Sequence, residues 1–172
     1  MKTPFLAPWL PVDQWLPCVA PFTCGSACRS AHNLNLVIDQ FEVETAQRYA
    51  SSRGATWCNV FLSDVTSALA CEIPRVWHGR EMTANHMSQW LFVSGPSFGW
   101  TEVAPVEAIA RANCGFPTVA VWPNPTGHGH VAVVVPGGDK EIVIAQAGIH
   151  NFRRGPRVRG FGARGFSCFT HD

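Results

Sequence analysis

The chain is poor in charge: 15% of its 172 residues are Asp, Glu, Lys or Arg, and 13 basic against 12 acidic residues leave a formal charge of +1. So weak a field excludes a general nucleic-acid binder or a polyelectrolyte partner. No run of 18 apolar residues occurs, so no transmembrane segment is expected. The C-x2-C pairs of a zinc site are missing, and seven Cys (18, 24, 28, 58, 71, 114 and 168) are too few for a disulfide-dense mini-scaffold. Their odd number leaves at least one thiol unpaired within the chain. A secretory h-region is lacking as well, because Pro4, Pro8 and Pro11 interrupt Phe5, Leu6, Trp9 and Leu10. A conventional signal peptide is therefore not expected.

What the chain has is apolar mass: 47% hydrophobic residues, with seven Trp and eleven Phe. A chain of this size buries roughly 70% of the surface that its unfolded form exposes, so one core needs neither a metal nor a disulfide. No cofactor and no metal are expected. Residues 1–32, with irregular Pro and Cys, read as an N-terminal arm, and residues 33–172 as a single domain.

Within that domain, Asn33 to Tyr49 is ambiguous between a strand and a short helix, because Phe41 and Val43 alternate with polar neighbours. Val60, Phe61, Val65, Ala68 and Leu69 form a helical stripe starting near Cys58. Asn85 to Leu91 and Glu102 to Asn113 read as two further helices. Thr118–Trp122, His130–Val135 and Glu141–Ala145 are β-branched runs separated by Pro- and Gly-rich turns. Helices followed by an antiparallel meander make an α+β domain. The segment 151–172 carries five Arg and a net charge of +4, against −3 for residues 1–150. It reads as a solvated loop or, more sharply, as a patch for an anionic surface.

Cys58 falls where a polar turn meets an amphipathic helix. The free N–H groups and dipole of a helix N-terminus favour thiolate, which predicts selective labelling with a pKa well below about 8.5. A nucleophile needs a base, and His130 heads a strand after the turn 126–129. If the strands after His130 and Glu141 pair as a hairpin, Gln146 returns beside His130 and can fix its tautomer. His128 lies two residues from His130 on an extended segment and so faces the other side, which disfavours a shared metal.

Tyr49, then Thr56-Trp57-Cys58-Asn59-Val60-Phe61, Asp64-Val65 and later Gly129-His130-Val131-Ala132-Val133-Val134, resembles the NlpC/P60 and CHAP superfamily of papain-like cysteine peptidases and amidases. The resemblance spans residues 34 to 172. It implies a papain-like fold with N-terminal helices packed on a small antiparallel sheet, and a peptidoglycan hydrolase that cuts an amide through a thioester. Carried onto this sequence, it implies Cys58 as nucleophile, His130 as general base and then acid, and Gln146 as the orienting residue, with Asn151 a rival for that third role.

Tyr49, the only Tyr, matches an upstream Tyr whose hydroxyl lines the oxyanion or substrate site. Trp57 and Asn59 are further candidates for substrate or oxyanion contacts. The long connection 73–85, with Arg75, Trp77 and Arg80, is a candidate cleft lining. Peptidoglycan is the implied substrate and the bacterial cell wall or periplasm the implied place of action, reached by phage lysis or by a secretion system. An effector would also have an immunity or delivery protein. The competing readings are an acyltransferase or deamidase on the same fold, and a non-catalytic wall-binding or phage structural module.

Overall fold

In the computed structural model, which describes residues 19–22, 25–52 and 54–172, the first α-helix is opened by Ser30. Its hydroxyl accepts the Asn33 N–H at 3.1 Å and caps α1 (Ala31–Asp39), which buries Leu34, Val37 and Ile38. The ambiguous segment is thus helical only at its start. It then turns through Glu42, at φ 45°, into a 3-10 turn at Gln47–Tyr49. The alternation around Phe41 belongs to this turn and not to a strand.

The helix α2 (Cys58–Ala68) is buried along most of its length, and α3 (Ala84–Val93) starts from a capping box between Thr83 and His86. A two-stranded hairpin, β1 (Val76–Trp77) and β2 (Arg80–Glu81), connects them. The strand β3 (Trp100–Val103) occupies part of what reads from sequence as one long helix. Pro105, which has no N–H to donate, starts α4 (Pro105–Asn113) later than expected.

The strands β4 (Thr118–Trp122), β5 (His130–Val134) and β6 (Val143–Gln146) form the expected meander. The basic C-terminal segment is not a loop. It contributes β7 (Phe152–Pro156), a short helix α5 (Val158–Phe161) and β8 (Ser167–His171). The strands pair antiparallel throughout in the order β3-β8-β4-β5-β6-β7, which puts the last strand between β3 and β4.

Both faces of the sheet are covered at its centre, which explains the runs 119–121 and 131–134 that are apolar at every position. Val119, Val121, Val131, Val133 and Phe169 pack with α1, α2 and α3. Ala120, Ala132, Val134, Ile144 and Cys168 pack with Ala108 and Ala112 of α4 and Phe161 of α5. The result is a mixed α+β domain.

The described part of the arm lies on this body. Phe22 N–H donates to Ala68 O at 2.7 Å and Ala20 N–H to Gln40 Oε1 at 2.8 Å. Cys28 is disulfide-bonded, while Cys58, Cys71, Cys114 and Cys168 are free thiols; Cys18 and Cys24 lie outside the described residues. Among the described residues no helix is long and apolar enough to cross a membrane.

Candidate active site

Cys58 is the first residue of α2, and Trp57 at the N-cap supplies no side-chain acceptor, so the first-turn N–H groups remain available at the cysteine. The neighbouring strand β5 runs beside α2, and the backbone N–H groups of Val131, Asn59 and Cys58 itself act on the sulfur in favour of thiolate. Burial outweighs them. With 6% of its surface exposed, Cys58 is pushed above its ordinary thiol value. The resting group is therefore a thiol, contrary to the thiolate expected from its helix position.

His130 begins β5, one residue before Val131. Its Nε2 lies 2.7 Å from Gln146 Oε1, at the end of β6. The orientation of the glutamine amide is fixed on its other side, where Gln146 Nε2 donates to His150 O at 3.0 Å. With its NH2 engaged there, the amide presents only an acceptor to the ring, so His130 carries its proton on Nε2 and leaves Nδ1 as a base. Burial is the largest influence on this imidazole and lowers its pKa; the hydrogen bond to Gln146 opposes that shift, and Arg164 adds to it. Burial thus favours the uncharged form of both groups, a thiol at Cys58 and a neutral imidazole at His130.

Cys58, His130 and Gln146 line one open cleft of about 1050 Å³. The walls of that cleft are held by residues that local sequence pattern does not single out. Asn85, near the start of α3, donates to Asn124 O at 3.0 Å and Gly127 O at 2.8 Å, and accepts from Asn124 N–H at 2.8 Å. It thereby clamps the turn that delivers His130. Gly129 is required there, because a Cβ would overlap Asn85 Oδ1 and the Trp122 carbonyl. Gly160 plays the same part on the far side, where a Cβ would overlap Gln146 Oε1. Phe161 meets the His130 ring edge-on at 5.0 Å. Their only sequence signal is glycine beside a candidate residue once the fold is known.

Asn151 does not touch His130. Its Oδ1 accepts the Gly148 N–H at 3.0 Å, and its Nδ2 donates to Val43 O at 3.0 Å and Tyr49 O at 2.7 Å. It ties the loop carrying His150 to the segment before α2, and the side chain hydrogen-bonded to His130 is that of Gln146.

Tyr49 is placed differently from the expectation. It is 1% exposed, is absent from the described cleft lining, and donates its hydroxyl to Asp64 Oδ2 at 2.7 Å. Burial, with the Asp64 carboxylate, pushes that hydroxyl well up, so it stays protonated. Asn59 and Trp57 do line the cleft, yet their donors are engaged: Asn59 Nδ2 holds Met82 O at 2.9 Å and Trp57 Nε1 holds Ala50 O at 2.9 Å.

Of the connection 73–85, only residues 81–85 reach the cleft. Arg75 pairs with Glu81 at 3.2 Å, and Trp77 packs edge-on against Trp90 and Phe98 with ring centroids 5.9 and 5.7 Å away. His128 lines the cleft but, among the described residues, no group of three His, Cys, Asp or Glu is arranged to hold a metal ion.

No protein-family model matches the chain, and no curated protein matches it.

Proposed function

We propose that the protein is a papain-like cysteine hydrolase of the NlpC/P60 and CHAP kind that cleaves an amide bond of peptidoglycan. The observation that carries the reading is the bond between His130 Nε2 and Gln146 Oε1, oriented by the His150 carbonyl, in the cleft that Cys58 enters from a helix N-terminus. Peptidoglycan as substrate rests on the resemblance of the Cys58 and His130 segments, supported by an open cleft roomy enough for a branched polymer.

In this reading His130 Nδ1 takes the thiol proton as Cys58 Sγ attacks the amide carbon. The backbone N–H of Cys58 stabilises the oxyanion, an interaction of about 3 kcal/mol when such donors are removed elsewhere. Collapse of the tetrahedral adduct breaks the C–N bond, and the leaving amine takes the proton back from His130. Water, deprotonated by His130, then cleaves the thioester to give a carboxylic acid and restore the thiol. Gln146 holds the ring in the tautomer that both halves require. On this reading the protein acts at the bacterial cell wall.

The test is incubation with purified peptidoglycan, wild type beside Cys58→Ala, with mass analysis of the released fragments. The expected result is new amine and carboxylate ends with the wild type alone. Identical products from both proteins would reject the mechanism.

A further inference from the structure

Five Arg occupy the last 22 residues, and four of them are engaged within the fold. Arg153 pairs with Glu44 at 3.2 Å, Arg154 donates to Pro136 O at 3.0 Å, Arg157 to Gly162 O at 3.1 Å and Arg164 to Phe161 O at 3.3 Å. Arg159 differs. Its guanidinium lies over the Phe152 ring, 4.6 Å from the centroid, and no acceptor among the described residues takes its N–H groups. It is also the one of the five that lines the cleft with Cys58 and His130.

Charge balance points the same way. The described cleft lining includes one carboxylate, Glu81, and Arg75 already neutralises it at 3.2 Å. The uncompensated fixed charge of the cleft is therefore a single guanidinium. The Arg159 backbone is fixed beside the cleft, because the next residue, Gly160, packs directly against the Gln146 amide. The contact with the Phe152 ring anchors the guanidinium while its N–H groups stay free of acceptors among the described residues, as bidentate recognition of a carboxylate requires.

We infer that Arg159 is a specificity-determining residue that binds a free carboxylate of the substrate beside the amide attacked by Cys58. This deepens the proposed function and rests on it. The substrate is then an acidic peptide whose free carboxylate lies in the same cleft as the scissile bond, and an amidated counterpart is a poor ligand. The Lys side chain, a point charge, replaces the planar fork only in part.

The experiment is a binding titration on the inactive Cys58→Ala protein, with a stem tetrapeptide bearing free carboxylates and with the same tetrapeptide amidated. The acid is expected to bind about tenfold more tightly than the amide, a ratio in keeping with one partly solvated charge-assisted contact. In Cys58→Ala/Arg159→Gln that ratio is expected to fall to about one, and in Cys58→Ala/Arg159→Lys to lie between. Thermal unfolding of each variant within a few degrees of its parent shows that the fold is kept.

No acid preference in the parent, including no binding of either peptide, overturns the inference; so does a preference that survives Arg159→Gln. Cleavage is read separately. If wild type cuts peptidoglycan and the acid preference does not depend on Arg159, the inference alone fails. If the preference depends on Arg159 but Cys58→Ala releases the same fragments as wild type, it is the hydrolase reading that fails.

Discussion

Two polar clusters touch α2, and they are built on opposite principles. Behind the helix, Arg48 makes a bidentate pair with Asp64 at 2.5 and 2.7 Å, and Tyr49 donates to the same carboxylate. At its N-terminus Cys58 joins His130 and Gln146 along the cleft. In the first cluster the carboxylate is saturated and shut in: Arg48 is 9% and Asp64 8% exposed. In the second, every bond serves to orient one ring, and the ring's Nδ1 stays available. A carboxylate whose two oxygens are both taken up in the interior holds a fold together, although Arg48 Nη1 is left there without a partner; a ring nitrogen left over in a cleft that a thiol also lines can do chemistry.

The comparison is broken most severely at His130. On the proposed reading, in which His130 is the base, His130→Ala is expected to lose about 10⁴ in kcat, the upper range for a positioned acid–base group, with unfolding little changed. Asp64→Ala should do the reverse. Leaving Arg48 buried without its partner costs about 3–5 kcal/mol of stability in denaturant titration, while the turnover of correctly folded molecules persists.

Gln146→Ala comes next, at about 100-fold in kcat from the ring's lost orientation. Its signature is in ring nitrogen NMR shifts: wild type shows His130 protonated at Nε2 alone, and the variant shows mixed tautomers. Tyr49→Phe is the smallest change, about 1 kcal/mol of stability with kcat unaffected. A large fall in kcat would return Tyr49 to the oxyanion site that its sequence position suggests.

Titration sharpens the contrast further. Burial lowers the pKa of His130, so the neutral base persists below the usual imidazole range and the acidic limb of kcat/KM should fall below about 6.5. Burial raises that of Cys58, so alkylation in the free protein should accelerate only as pH rises past the ordinary thiol value. Stability follows the same sign. Cys71 and Cys168 are raised from 9.0 to about 12, so their contribution is complete below pH 9 and is lost as pH climbs from there towards 12.

What was legible in the sequence is what local pattern controls. The stripe from Val60 to Leu69 gave α2, the β-branched runs gave β4 and β5, and the hairpin turn brought Gln146 back to His130. β8 was not legible, because a strand that crosses from the chain's end to lie between β3 and β4 leaves no local mark beyond Cys168 and Phe169 in an Arg- and Gly-rich segment. Tyr49 and the Cys58 thiol depart from what their sequence positions suggest for a shared reason. Sequence position locates a group on a helix or before it, but burial decides whether a hydroxyl faces solvent and whether a helix terminus outweighs desolvation. Asn85 and Gly160 act across more than ten residues of chain on the groups they hold, which no spacing rule reports.

The central claim is that Cys58 is acylated by the substrate with His130 as its base. Intact-protein mass measured after rapid mixing with a peptidoglycan stem peptide and acid quench tests it directly. The account predicts a transient gain equal to the acyl fragment, mapped to Cys58, missing in Cys58→Ala and strongly slowed in His130→Ala. Fragment release by wild type with no adduct at Cys58, matched by release from Cys58→Ala, would contradict it.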